Sequence, residues 1–226
     1  GLPELGGVGC GYATAIVFWV EFLAMLFVCR MQFFRRIEAF NQFEWPNWQS
    51  IKSILYIGTP IGLTIFVEMA VFSVIGLMIA RFSILEVAAN SIAGNINWAT
   101  YVIPAAIGSA ASIRVGFHVG AKDYVAARGS AIGVYKFSFI YAIVIGLLLV
   151  ATRFYLVSIF TTDQAVVEIA TALLIFTAVY QLVDDSNAVA IGALRGFKDT
   201  RFPFVFGLIG YWFLALPFGY AVSEGI

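Results

Sequence analysis

Six apolar runs, each long enough to cross a bilayer as a helix, leave this chain few folds to choose from. A hydrocarbon core of about 30 Å needs about 20 apolar residues in helical form. The runs cover roughly 9–29, 54–80, 88–112, 130–152, 165–192 and 203–222. None alternates apolar and polar residues as a barrel strand does. In hydrocarbon, only helices and closed barrels satisfy their own backbone groups. The expectation is an all-α integral membrane protein of about six transmembrane helices. Composition agrees: the chain is 62% hydrophobic and 12% charged, where a soluble domain has about 25% charged residues.

The net charge is zero, so there is no electrostatic case for nucleic acid. Cys10 and Cys29 bracket the first run and fall on opposite membrane faces, too far apart for a disulfide. There is no CxxC motif and His118 is the only histidine, so metal catalysis has no support and no cofactor is expected. The opening residues do not read as a signal peptide. The chain opens at Gly1 in an apparent loop and stops at Ile226 just after a run, which reads as a piece of a longer polypeptide. Ten basic residues (Arg30, Arg35, Arg36, Lys52, Arg114, Lys122, Arg128, Arg195, Lys198 and Arg201) fall on one side, and two (Arg81 and Arg153) on the other. By the positive-inside bias, loops 30–52, 113–129 and 194–202 are cytoplasmic. Lys136 lies inside the fourth run near its basic end and is expected to snorkel. Loop 30–52 is the longest connection and interleaves Arg with aromatics, which suits either a membrane interface, a linker between helical bundles or an ordinary loop.

Against this apolar background, Glu68 sits inside the second run and Asp184 inside the fifth. A charge at bilayer depth costs at least about 2.5–3.5 kcal/mol on insertion scales, so an intramembrane acid is a functional-site hypothesis. Glu68 is fifteen residues from Ser53 and thirteen from Arg81. At about 1.5 Å per residue that is about 20 Å from either end. Asp184 is eleven residues before Arg195, hence about 16 Å from the cytoplasmic side. Both lie near the midplane, the depth of transporter ion and substrate sites. Tyr180 and Asn187 share the Asp184 face of their helix. Asn90 and Asn97, seven apart, share a face of the third run, with Asn95 turned away. Their carbonyl oxygens suit a hard cation such as Na⁺ at Glu68 and Asp184. Loss of water also disfavours a charged carboxylate, so H⁺ is equally open. Asp185 points about 100° from Asp184, and Glu21 lies on the first run; either can face a cavity or support one. The bland readings are a polar clasp between helices for the acids and interhelical hydrogen bonds for the asparagines. Pro60, Pro104 and Pro217 mark kinks or bending points. The aromatics are mainly lipid-facing, with a minority suited to cationic aromatic substrates.

Several strings carry a family resemblance: PELGGVGCGYATAI, SIRVGFHVGAKD, YQLVDD, GALRGFKDTRFP and YWFLALPFGY. They resemble the MATE (multidrug and toxic compound extrusion) exporters, NorM-like branch, in order over the whole chain. The resemblance implies part of a twelve-helix fold of two six-helix bundles. Residues 1–29 correspond to the last helix of the amino-terminal bundle, 30–52 to the inter-bundle linker, and 53–226 to the carboxy-terminal bundle without its final helix. It implies export of cationic drugs and dyes across a bacterial inner membrane against Na⁺ or H⁺, by a monomer and not an enzyme. It also matches Glu68, Asp184 and Tyr180 to the family's cation-coupling positions. Arg114 and Arg195 match cytoplasmic-loop arginines. Asp185 and Glu21 match no motif. Two other functions fit the residues less well. A lipid-linked-intermediate flippase would need cationic cavity residues for anionic headgroups. An intramembrane aspartyl protease needs two acids sharing one site, whereas Asp184 and Asp185 diverge and GxGD is absent.

Overall fold

The computed structural model describes residues 6–31, 45 and 47–224. The linker expected at 30–52 falls largely outside these residues. The chain divides into two compact units, Gly1–Ile51 and Lys52–Ile226. In the first unit, α1 (Gly6–Arg30) is apolar all round, as a lipid-immersed helix is. Phe18, Trp19, Phe22 and Phe27 are exposed on it, as is Glu21. Cys10 and Cys29 are both free.

Five further spans follow, the first of them beginning four residues before the second unit does. They are α2 (Trp48–Ile79), α3 (Ile84–Gly120), α4 (Tyr124–Ser158), α5 (Gln164–Gly196), and a sixth that changes pitch along its length. That last span is α6 (Arg201–Leu208), a π-helical stretch Ile209–Ala215, and α7 (Leu216–Glu224). Six helices are therefore long and apolar enough to cross a membrane, and no strand occurs among the described residues. Helices α2 to α5 outrun the apolar runs that announced them, because hydropathy marks lipid depth and not the capped ends in water. Those ends have local causes. Ser83, Asp123 and Asp163 each accept a backbone N–H from the first turn of α3, α4 and α5. Helices α3 and α5 both end in a Gly-x-Lys-Asp turn. Lys122 and Lys198 take positive φ there (60° and 63°). The next residue's N–H reaches back to His118 and Leu194 respectively, which closes a Schellman turn.

The core of the unit is the trio α3, α4 and α5. In lipid no hydrophobic drive separates helix from hydrocarbon, so close packing through small residues holds spans together. Helix α5 presents a buried stripe, Ala178, Gln181, Asp185, Val189, Gly192 and Gly196, at helical spacing. At Gly192 the α5 backbone meets the Gly108 carbonyl of α3, where a Cβ has no room. A Cβ on Gly108 would lie 2.8 Å from the Ala188 carbonyl oxygen, and one on Gly196 would lie 2.8 Å from that of Ser112. Towards the other end, Ala89, Ile92, Ala93 and Ile96 of α3 pack with Leu149 and Val157 of α4 and Ala170 and Leu174 of α5. Large apolar side chains such as Phe66, Phe72, Leu147, Phe176 and Phe213 stay on the outside, where lipid solvates them.

Gly192→Ala forces backbone against backbone and should cost about 1–3 kcal/mol. Gly133→Ala, with open space around it, should be neutral or stabilise by up to about 1 kcal/mol. Thermal unfolding of the detergent-solubilised variants checks both; an unchanged Gly192→Ala midpoint would contradict the close contact.

Candidate functional site

Helix α2, helix α5 and the last span enclose a pocket of about 480 Å³, within the size range of small-molecule sites. Helix α2 contributes Thr64 and Glu68, one turn apart on a shared face. Helix α5 contributes Asn187, Ala190, Ile191 and Leu194, the face opposite its packing stripe. The last span contributes Phe202, Phe206 and Tyr211, with Gly207 and Gly210 leaving space between the rings.

The π-helical stretch aims the last of these. Leu216 donates its N–H to the Tyr211 carbonyl, five residues back. Pro217 follows directly and supplies no N–H, so a wider turn fits where a regular α turn would crowd the ring. The stretch turns Tyr211 into the pocket. It also brings Trp212 Nε1 to the Val67 carbonyl at 3.3 Å, beside Glu68. Nearer the basic end of the last span, the Arg201 guanidinium stacks on the Tyr56 ring at 4.7 Å, a second tie to α2. On α2 itself, Thr64 donates to the Pro60 carbonyl at 2.8 Å, one turn after the Tyr56 carbonyl that the proline leaves without a helical donor.

Glu68 and Asp184 lie near enough to act on each other through charge, and Arg195 is the cation whose field reaches Glu68. Neither acid has a direct basic partner among the described residues. Tyr101 of α3 and Tyr211 sit in the field of both acids. Tyr180 sits in that of Asp184 and Asp185 and is 43% exposed. The arrangement is one carboxylate, Glu68, in the lining of an aromatic pocket, with a second, Asp184, near enough to act on it through charge. It can hold a cation by charge and by π-faces.

The other residues singled out from sequence separate in space. Asn187 lines the pocket beside Glu68. Asn97 and Asn90 are partly buried on α3 and line none of it. Asp185 is wholly enclosed among α3, α4 and α5, away from the pocket. Glu21 is exposed on α1, in the other unit. Residue reasoning missed Thr64, Tyr211 and Trp212. Thr64 was findable as the residue one turn before Glu68. Tyr211 and Trp212 open the string YWFLALPFGY, but an aromatic in an apolar span defaults to lipid, so nothing singled them out for a site.

The MatE family model matches residues 60–221. Multidrug resistance protein PmpM of Pseudomonas aeruginosa is 37% identical over 99% of this chain and 47% of its own length. Multidrug resistance protein NorM of Vibrio vulnificus is 39% identical over 99% of this chain and 49% of its own length. The chain thus spans about half the length of the curated relatives it matches. Among solved structures, a MOP superfamily transporter from Pyrococcus furiosus shares the fold over 76% of this chain and 40% of its own, with a TM-score of 0.68 and 18% identity.

Cysteine accessibility checks the geometry in a background with Cys10 and Cys29 replaced by Ser. Cysteine at Glu68 or Tyr211 should react with a water-soluble thiol reagent about tenfold or more faster than cysteine at Asp185. Equal rates would contradict the separation of the two acids on α5.

Proposed function

The chain belongs to the MatE family, and from that premise we propose that it forms part of a cation-coupled exporter of organic cations. The observation that carries the reading is Glu68 in the lining of the pocket with Phe202, Phe206 and Tyr211, with Asp184 near it. Two nearby carboxylates without a basic partner attract a positive charge. A cationic drug can supply it, resting against Phe202, Phe206 and Tyr211 through cation–π contact. A coupling ion, Na⁺ or H⁺, can supply it instead. When the ion occupies or neutralises the acids, the drug loses the charge that holds it. Each ligand thus favours the conformation in which it binds better, and exchange at one site moves the two in opposite directions. Tyr180 and Asn187 offer oxygens beside Asp184 and Glu68 for a Na⁺ route. No covalent step is needed.

The acidic pocket also argues against a flippase for anionic headgroups. Its lining includes Glu68 and Asp199 and, among the described residues, no lysine or arginine. The skew of basic residues to loops 30–52, 113–129 and 194–202 supports a cytoplasmic placement of those loops in a bacterial inner membrane. The whole exporter acts as a monomer in this reading, since both acids and the pocket come from one chain.

Dye efflux from cells producing the complete transporter tests the proposal. Glu68→Gln and Asp184→Asn should each lower efflux at least about tenfold, the scale of ordinary coupling energies, with membrane insertion unchanged. Varying Na⁺ and pH gradients separately then identifies the coupling ion. Undiminished efflux from both variants would sink the reading.

A further inference from the structure

Asp185 is the acid that the export mechanism leaves unused, and its surroundings are unusual. Its side chain is 0% exposed, and neither carboxylate oxygen has a hydrogen-bond donor. Gln181, one turn earlier on the same buried stripe, is also 0% exposed. Its Nε2 donates to Thr100 Oγ1 at 2.9 Å. That places the amide near Asp185 without a well-formed bond to it. The Gln181 Oε1 is buried and unpaired, and so is the Oδ1 of Asn97, one turn before Thr100 on α3.

The neighbouring hydroxyl protons are all committed elsewhere. Thr100 donates to the Asn97 carbonyl at 2.8 Å. Ser138 donates to the Asp185 carbonyl at 3.1 Å, and Tyr141 to the Thr100 carbonyl at 2.9 Å. Four buried oxygens therefore lack a hydrogen-bond donor, and the second proton on Gln181 Nε2 makes no well-formed bond to Asp185. Native interiors leave few such groups, and a cluster of them calls for an ion or a water. An isolated buried carboxylate is dearer still. One proton on Asp185 would turn one oxygen into a donor and satisfy one acceptor, leaving two of the four unpaired. A cation lodged between α3 and α5 can draw on Asp185 together with the amide oxygens, which a single proton cannot. The set is all oxygen with a single formal charge, which suits a hard monovalent ion and neither a soft nor a divalent one.

We infer that Asp185, Gln181 and Asn97 form a buried site for a hard monovalent cation within the α3–α4–α5 trio, separate from the Glu68 pocket. The ion ties α3 to α5 where Thr100 and Gln181 already join them, so its occupancy stabilises the packed trio. The site stands independently of the export reading, and either can fail alone.

The test is thermal unfolding of the chain in lipid nanodiscs, titrated with NaCl or KCl against choline chloride at fixed pH and ionic strength. A cation that binds the folded state raises the midpoint in a saturable way. The rise should persist in the Glu68→Gln/Asp184→Asn double variant and vanish in Asp185→Asn. Asn97→Leu keeps the carboxylate but removes one ligand oxygen, and should raise the half-saturating concentration about tenfold. It also serves if Asp185→Asn does not fold. Four outcomes overturn the site: no response to either salt, a response retained in Asp185→Asn, a half-saturating concentration unmoved in Asn97→Leu, or one lost in the double variant instead. Stabilisation by acid in place of salt assigns the group to a proton and overturns it equally.

Discussion

The contact of α5 with α3 at Gly192 and Gly108 fixes the rotation of the helix that carries both Asp184 and Asp185. Neither backbone can turn there without a clash, since even one added carbon meets a carbonyl. Every other side chain on α5 inherits its direction from that choice. The stripe through Ala178, Gln181, Asp185 and Val189 goes inward. Asn187, Ala190, Ile191 and Leu194 go to the pocket. A residue with a larger side chain at the glycines would leave the same sequence with a different division of its polar groups.

The last span plays the complementary part from the other side of the pocket. Its pitch change before Pro217 lets Tyr211 face Glu68 while Trp212 holds the α2 backbone at Val67. The Arg201–Tyr56 stack makes a second attachment nearer the basic end. Helix α2 adds to these two contacts the burial of Thr64, Val67 and Val71, whereas α3, α4 and α5 approach one another closely enough for backbone to meet backbone.

Most of the span architecture was legible in the sequence, because hydrocarbon rejects unsatisfied backbone so strongly that long apolar runs have one common outcome. The nearness of Glu68 and Asp184 was partly legible, through the depth that helical rise assigns to each. What escaped were relations between helices. The burial of Asp185 depends on a glycine contact seven residues away, at Gly192, with a partner on another helix. The role of Tyr211 depends on a widened turn whose trace in the sequence is Pro217 alone. Asn97 and Gln181 were visible as polar residues, but only the packing of three helices shows that their carbonyl oxygens have no donor.

Adjacent residues on a helix point about 100° apart, so Asp184 and Asp185 cannot serve one site, and here they are given to two. Yet they remain within reach of each other's charge. A positive charge held at Asp185 removes part of the negative field felt at Asp184, and one held at Asp184 does the same in return. Such coupling is reciprocal by thermodynamic necessity. A filled inner site then weakens the hold of the Glu68–Asp184 pair on any cation, and an empty one strengthens it. The inner acid need not touch a transported molecule to set how tightly the outer pair grips it. One peptide bond of separation, with the rotation that Gly192 imposes, is enough to set the proposed ion site and the proposed exchange site side by side.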